Sequence, residues 1–266
     1  MPASWVKAAA AAALWSAGSV LADLEVFSDV RQFDKVVSDA DGFASQRYRS
    51  SDIRGPVLQV NTWEKEQVDD AGYLFLGTVY GHMKAGPMIL DASDFSLVYA
   101  DQRYENTYTS DAVMVHDQRY MAFWEGYHTR GHANGFCLLY DEQYDLKYNV
   151  TAQGLHGALA DMHEMKVTND GTVIFSTYWN RDYDCSSVGG PKKALLQDSG
   201  FQEVDIETNK VVFDWHASDH FNLTDSVAKY SGAYGVTGNS GFDFFHINSV
   251  DKVSNADPAI SVMLGC

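Results

Sequence analysis

The stretch DMHEMKVTNDGTVIFSTY, residues 161–178, predicts a β-hairpin with a histidine near its open end. Met165 and Val167 alternate with polar residues, which is the period of a half-buried strand. The turn signal at residues 169–171, Asn-Asp-Gly, is strong because Asn and Gly tolerate the positive φ angles of tight turns. By the same alternation His163 falls on the buried face. A titratable ring in that position is either a hydrogen-bonded structural histidine or part of a functional site.

The hairpin belongs to a pattern that recurs along the chain. We predict strands that end at Asp91, Asp141 and Asp205, at intervals of 50 and 64 residues, each followed by a turn and a returning strand. A second kind of hairpin lies between them, as at residues 112–124 and 165–177. Two hairpins in a repeat of this size are typical of the four-stranded blades of a β-propeller. A plain β-sandwich built of hairpins is the alternative.

Residues 1–22 have the pattern of a secretory signal peptide, and the fold prediction excludes them. Lys7 precedes a short apolar core, and residues 20–22, Val-Leu-Ala, have the spacing of a cleavage site. The apolar run is too short and too rich in alanine to predict a membrane span. We therefore predict a secreted, extracellular protein with a lead-in segment over residues 23–47 and one all-β domain over residues 48–266.

Sequons and cysteines fit an extracellular protein. N-glycosylation sequons begin at Asn149 and Asn222. In an oxidising compartment Cys137 and Cys185 could form a disulfide bond, which would leave Cys266 without a partner. The sequence does not fix this pairing.

The charge and the motifs limit the class of function. A net charge of −17 disfavours nucleic acid and anionic lipid as partners, and an anionic substrate would need a locally positive pocket. The chain has no G-x-S-x-G nucleophile motif, no phosphate-binding loop, no dinucleotide fingerprint and no H-E-x-x-H metal motif. We therefore predict a small-molecule ligand, with no cofactor and no metal site, and leave the oligomeric state open.

Two histidines occupy equivalent positions in the repeat. His163 lies in the segment DMHE, and His246 lies in the segment FFHINS at the start of a later hairpin. In a propeller, equivalent ends of the innermost strands converge on the axial channel from different blades. We therefore expect these two imidazoles, 83 residues apart in the sequence, to lie close together.

A second histidine group consists of His128 and His132, with Arg130 between them. Their i, i+4 spacing would suit a metal site on a helix. Gly131 and the polar residues around it predict a loop instead. We interpret this segment as a loop that is either solvated or placed at the mouth of the channel.

Seven short segments stand out when the sequence is considered as a whole. They are residues 72–77, 161–177, 186–191, 202–208, 213–215, 219–220 and 243–250. In this order they resemble the secreted fungal arylsulfotransferase-like (ASST) family, over roughly residues 48–250. The resemblance implies a six-bladed propeller, here incomplete with about three to four blades. It also implies transfer of a sulfuryl group from a phenolic sulfate ester to a phenol through a sulfohistidine, without a nucleotide donor.

The resemblance also implies roles for the two histidines. His163 and His246 match the two histidines that hold the sulfuryl oxygens in the family, together with an arginine. After residues 246–251 the chain departs from the family pattern, and neither the arginine nor the nucleophilic histidine has a counterpart. We therefore expect this chain to be the first part of a longer protein and to show little or no turnover alone.

Two other functions remain open from the sequence. A non-catalytic secreted propeller could bind carbohydrate or protein at its channel mouth, which its abundant Trp and Tyr would suit. A metal-assisted hydrolase could use Asp161 and Glu164 with His163.

Overall fold

The computed structural model has two compact units, Met1–Gln67 and Val68–Cys266. The predicted signal peptide lies outside the described residues, as does Cys266. The structure describes residues 31, 33–35, 45–47, 53–56, 58–62, 64–67, 72–79, 84–129, 131–234, 241–254 and 257–264.

In the first unit, residues 31 and 33–35 have helical backbone. Strand β1 (Ser45–Arg47) pairs antiparallel with β2 (Arg54–Pro56), and a 3-10 turn follows at Lys65–Gln67. The lead-in segment predicted for residues 23–47 therefore contains both helical and strand backbone where it is described.

The second unit is built of strands, with 3-10 turns at Ser186–Val188, Ala217–Asp219 and Leu223–Asp225. The prediction of an all-β protein is confirmed. Among the described residues, no helix has the length and apolar character needed to cross a membrane. The strands are β3 (Tyr73–Gly77), β4 (Pro87–Asp91), β5 (Leu97–Ala100), β6 (Thr107–Val115), β7 (Gln118–Thr129), β8 (His132–Tyr140), β9 (Leu146–Val150), β10 (Ala160–Val167), β11 (Thr172–Tyr183), β12 (Ala194–Asp205), β13 (Val211–His216), β14 (Phe242–Asp243), β15 (Ile247–Ser254) and β16 (Asp257–Leu264).

Two successive four-stranded antiparallel meanders form the centre of this unit. The first meander is β6-β7-β8-β9 and the second is β10-β11-β12-β13. They are linked at the backbone by the pairing of Ala160 with Gly135. Strands β3-β4-β5 form a three-stranded sheet before them, and β15-β16 form a hairpin after them.

Apolar side chains pack each sheet against the next one in chain order. The largest cluster joins the two meanders, and it includes the indole of Trp124, which donates to the carbonyl of Ala160 at 3.1 Å. A second cluster joins Ile89 of the three-stranded sheet to Phe123 of the first meander. A third joins Ile174 of the second meander to Ile247 at the start of β15. The core therefore lies between sheets, which stabilises this stacked arrangement through burial of apolar surface.

The hairpin at residues 161–178 forms as predicted. Val167 pairs with Val173, Gly171 has a φ of 81°, and the turn closes through a 2.8 Å hydrogen bond from Thr168 N to Thr172 O. Strict alternation from Met165 does not determine the face on which His163 lies, because a register shift interrupts β10 between Ala160 and Met165.

The aspartates at the ends of β4, β8 and β12, which are every fourth strand, have a common structural role. Asp91, Asp141 and Asp205 each accept a hydrogen bond from the backbone of the following turn, at 2.8–2.9 Å, from Ser93, Gln143 and Thr208 respectively. These bonds fix the turn, as in other Asx turns. Hydrogen bonds from the turn residues hold the pKa of each of these carboxyl groups below its usual range.

Candidate functional site

Asp161 is the buried anchor of the site. Its carboxylate is fully buried, and Oδ1 accepts hydrogen bonds from the backbone of His163 at 2.9 Å and from the hydroxyl of Ser176 at 3.0 Å. Oδ2 accepts from the backbone of Ala133 at 2.6 Å. Nδ1 of the His163 ring lies 2.6 Å from Oδ1 and donates to it, since a carboxylate can only accept. The ring nitrogen of His163 that remains for a ligand is therefore Nε2.

His246 is held in the same way by a different acid. Its Nδ1 lies 2.6 Å from Oδ2 of Asp243, the last residue of β14. Oδ1 of this aspartate is buried and has no hydrogen-bond partner among the described residues. Strand β14 pairs in parallel with β12, with Asp243 opposite Gln197. Both imidazoles therefore present Nε2 and have Nδ1 occupied by a carboxylate.

The chain on either side of His246 is fixed by side chains of the second meander. The hydroxyl of Ser199 donates to the carbonyl of Phe245, and the hydroxyl of Tyr178 donates to the carbonyl of Ile247 at 2.6 Å. Both donors lie on neighbouring strands, β12 and β11. These bonds place the His246 ring beside the ring of Tyr178, with the centroids 5.3 Å apart.

The two histidines meet, as their positions in the repeat predict. The centroids of the His163 and His246 rings are 5.2 Å apart and the rings are nearly perpendicular, at 86°. Tyr178 lies against both, with its centroid 6.0 Å from that of His163. Burial raises the pKa of the Tyr178 hydroxyl, so this group stays a neutral hydrogen-bond donor to the backbone.

A third histidine, His132, joins this group. It begins β8, is 5% exposed, and its ring centroid lies 5.4 Å from that of Tyr178. The prediction of a loop at residues 128–132 is wrong, because β7 and β8 extend into a tight hairpin in which Thr129 pairs with His132. The clue in the sequence was Gly131, whose φ of 91° suits a two-residue turn.

The rest of the second histidine group lies elsewhere. His128 is exposed, and its Nε2 forms a 2.7 Å hydrogen bond with the hydroxyl of Tyr108. Arg130 lies outside the described residues. The sequence also did not single out Tyr178 or Asp243, because neither belongs to a pattern that indicates chemistry before the fold is known.

The pKa values of His246 and His132 are shifted in opposite directions. The hydrogen bond from His246 to Asp243 raises the pKa of that imidazole, against the opposing effect of burial. Burial lowers the pKa of His132, although Asp161 and Asp243 act against this shift. Near neutral pH the group therefore combines a more readily protonated ring with a neutral one. Imidazolium N–H groups are strong donors to anionic oxygens, so this arrangement suits an oxyanion.

Metal binding finds less support in the geometry. Both oxygens of Asp161 are engaged with donors of the protein. Within the described part of the chain, no group of three or more His, Cys, Asp or Glu side chains is arranged to hold a metal ion. In the alternative of a metal-assisted hydrolase, Glu164 is the second acid beside Asp161, and burial raises the pKa of its carboxyl group.

Cys137 and Cys185 are both free thiols, and both are buried. Cys137 packs in the cluster between the two meanders, whereas Cys185 packs in a separate cluster with Leu196 and Phe242. The disulfide that the sequence left open is therefore absent between these two residues.

Comparison with known proteins places the chain in a protein family. The family model described as Arylsulfotransferase (ASST) matches residues 111–266, which is more than half of the chain. The matched region begins within β6, at residue 111, and includes the rest of both meanders. It also includes His132, His163 and His246. Searches of curated proteins and of solved structures found no match.

Proposed function

The chain belongs to the arylsulfotransferase (ASST) family, and on this premise we propose that its histidine group holds the sulfuryl group of a phenolic sulfate ester. In this proposal Nε2 of His163 and of His246 faces the sulfuryl oxygens, and each ring donates to them when it carries a proton on both nitrogens, because Nδ1–H is already bonded to a carboxylate. The observation that carries the proposal is the convergence of these two rings at 5.2 Å, each with Nδ1 bonded to a carboxylate.

The charge of the protein makes this local arrangement necessary. A sulfate ester is an anion, and the chain has a net charge of −17, so the ligand is repelled at long range. Asp243 favours the protonated form of His246, and protonation supplies both positive charge and a second N–H donor. Such donors stabilise the oxygens as charge develops on them during transfer.

In this proposal the site takes part in sulfuryl transfer between phenols, the reaction that the resemblance to the family implies. A sulfuryl group passes from the donor ester to a histidine nitrogen as the bond to the phenolic oxygen breaks, and a second phenol then accepts it. We assign His163 and His246 to binding in this sequence. The expectation of little or no turnover by this chain alone stays a prediction.

We propose that the sheets of the second unit are blades of a propeller. Three observations support this: two successive four-stranded meanders, apolar packing between successive groups of strands, and two histidines that meet at one point, one in β10 and one immediately before β15. We also propose that the protein is secreted after cleavage near Ala22, which the pattern of residues 1–22 supports. N-terminal sequencing of exported protein tests the second proposal, which requires a start near Asp23.

Binding of p-nitrophenyl sulfate, measured by isothermal titration calorimetry, tests the proposed site. His163→Ala and His246→Ala should each weaken binding about tenfold or more, because each removes a hydrogen bond to a charged group. His128→Ala is the matched control, since this exposed ring lies outside the site and forms a 2.7 Å hydrogen bond with the hydroxyl of Tyr108. Equal affinity in the wild type and in both site variants would exclude the proposal.

Turnover is measured on the same proteins. Incubation with p-nitrophenyl sulfate and a phenol acceptor should release little p-nitrophenol. Rapid release that disappears in His163→Ala would show that this chain carries out transfer and that the expectation of low turnover is wrong.

A further inference from the structure

We propose that a cleft beside the histidine group binds the aromatic ring of the phenolic substrate and recognises a neutral oxygen acceptor on that ring. This inference rests on the proposed function and names the part of the substrate that the chain selects. The cleft has a volume of about 240 Å³. An apolar cavity of about 150 Å³ is enough to admit benzene, so this cleft has room for one ring with a substituent.

The cleft shares two side chains with the histidine group. His132 and Tyr178, which belong to that group, also line the cleft. A ligand whose sulfuryl group lay at the histidines would therefore extend its aryl ring along these two side chains. This placement of the aryl ring uses only His132 and Tyr178 of the histidine group.

A stacked pair of rings forms a wall of the cleft. His156 and Trp179 both line it, and their ring centroids are 5.4 Å apart with an angle of 14° between the planes. Aromatic walls of this kind favour planar ligands, because offset and edge-to-face contacts add to the burial of apolar surface.

The loop that carries His156 is held in place before any ligand binds. Leu155 is 4% exposed, and the backbone of Leu159 donates to Oδ1 of Asn134 at 2.9 Å. On the other side, Gln153 and Gln202 exchange two 2.9 Å hydrogen bonds. A preformed wall lowers the entropy cost of binding.

Two buried N–H donors distinguish this cleft from a simple apolar slot. Gln197 lines the cleft and is 2% exposed, and its Nε2 is buried without a hydrogen-bond partner among the described residues. Nε1 of Trp179 is also buried without a hydrogen-bond partner among the described residues. An unpaired buried donor costs about 1–3 kcal/mol, so such a pair in one cleft calls for an explanation.

An oxygen on the ligand ring would satisfy these donors. Both donors are uncharged, and the net charge of −17 works against a second anionic group on the ligand. We therefore assign a neutral acceptor, such as a carbonyl, hydroxyl or methoxy oxygen. Gln197 is fixed for this role, because β12 pairs it with Asn180 on one side and with Asp243 on the other.

A matched pair of phenols tests the proposal. The dissociation constants of para-hydroxyacetophenone and para-isopropylphenol are measured by calorimetry on the full chain. The two ligands have similar size, but only the first has a carbonyl oxygen in addition to its phenol. Wild-type protein should bind the first about tenfold more tightly.

Gln197→Leu replaces the side-chain amide with an apolar group, and Trp179→Phe removes the indole N–H together with part of the ring surface. Each should reduce the preference for the acetyl phenol about three- to tenfold, because the ring surface that Trp179→Phe loses is surface that both phenols contact alike. Gln143→Leu, in the exposed turn after β8, is the control and should leave the preference unchanged. Thermal unfolding of Gln197→Leu should show only a small loss of stability, less than about 1 kcal/mol, because the Nε2 donor that it removes is unpaired among the described residues.

The outcomes separate this proposal from the proposed function. No preference in the wild type, or the same preference in both variants, overturns the role of the cleft. A fall in affinity for both phenols together with lower stability would show that Gln197 is structural, which also overturns it. Binding of p-nitrophenyl sulfate that is unaffected by His163→Ala overturns the sulfuryl site instead, whatever the ratio of the two phenols.

Discussion

The ring of His163 is oriented by Asp161, whose Oδ1 lies 2.6 Å from Nδ1 of the imidazole. The carboxylate is fully buried and also accepts from two backbone N–H groups and one hydroxyl. Four donors for one buried carboxylate satisfy its hydrogen-bonding capacity well. The direction of the His163 ring is thus set by the packing of β8, β10 and β11 rather than by His163 itself.

We first predict that Asp161→Asn lowers both stability and affinity. The amide has only one acceptor oxygen, so at least one of the four donors loses its partner or faces an N–H group. The free energy of unfolding should fall by about 1–3 kcal/mol in urea denaturation. Binding of p-nitrophenyl sulfate should weaken because the His163 ring loses its fixed tautomer. Asp170→Asn, in the exposed turn, is the control, and a similar loss there would contradict the anchoring role of Asp161.

The second prediction concerns pH. The pKa of His246 is raised by its hydrogen bond to Asp243, so the folded state binds this proton more tightly than the unfolded state. The resulting stabilisation is complete below the ordinary histidine pKa of about 6.5 and is lost as pH rises through the raised value. The difference in unfolding free energy between wild type and Asp243→Asn should therefore be largest in mild acid and shrink toward alkaline pH.

Affinity for p-nitrophenyl sulfate should follow the same direction, falling as His246 loses its proton. Among the described residues, the titratable groups around this ring include Asp243, Asp161, His163, His132 and Tyr178. Asp243→Asn should move the midpoint of the fall to lower pH. A midpoint that stays constant, or affinity that rises with pH, would contradict the assignment.

The third prediction tests the close approach of β14 to β12. A Cβ atom at Gly241 would lie 2.4 Å from the backbone nitrogen of Gln197, a distance that real structures do not tolerate. Gly241→Ala should therefore separate the strands, destabilise the protein by about 1–3 kcal/mol and weaken binding of the sulfate ester. Gly232→Ala has free space around its Cβ position and should change stability by less than about 0.5 kcal/mol. Equal effects of the two substitutions would argue against the strand contact.

The fourth prediction concerns the thiols. Cys137 is fully buried, and burial raises the pKa of its thiol, so the reactive thiolate is scarce. In a Cys266→Ser variant, a thiol reagent such as Ellman's reagent should react with Cys137 and Cys185 only after denaturation, without added reductant. A cross-linked peptide that joins Cys137 to Cys185 in a non-reducing digest would contradict the finding that both are free thiols.

Much of the strand pattern could be predicted because it depends on local rules. The Asn-Asp-Gly turn at residues 169–171 and the aspartates that end β4, β8 and β12 or follow them directly are signals written within a few residues. The meeting of His163 and His246 could be predicted as well, because both occupy the same position in a repeat.

Other features of the site depend on contacts between distant segments. The residues around His132 favour a loop by local rules, whereas its pairing with Thr129 continues the β7–β8 hairpin, and the neighbouring Ala133 packs in the cluster between the two meanders. The orientation of His163 was expected from alternation, which the register shift in β10 cancels. The cleft at Gln197 has no sequence signal, since a buried amide without a partner is visible only after the strands are assembled.

The parallel pairing of Gln197 with Asp243 also has a consequence for the order of folding. His163 belongs to a hairpin that closes between neighbouring residues, whereas His246 reaches the same place only after β12 has formed and the intervening chain has returned to it. Contacts between such distant segments form late, because the entropy of closing the long loop must be offset first. As the polypeptide emerges during synthesis, the histidine group would thus be among the last parts of the chain to assemble. Affinity for a sulfate ester would then report how much of a preparation has reached its final fold, beyond the early local hairpins.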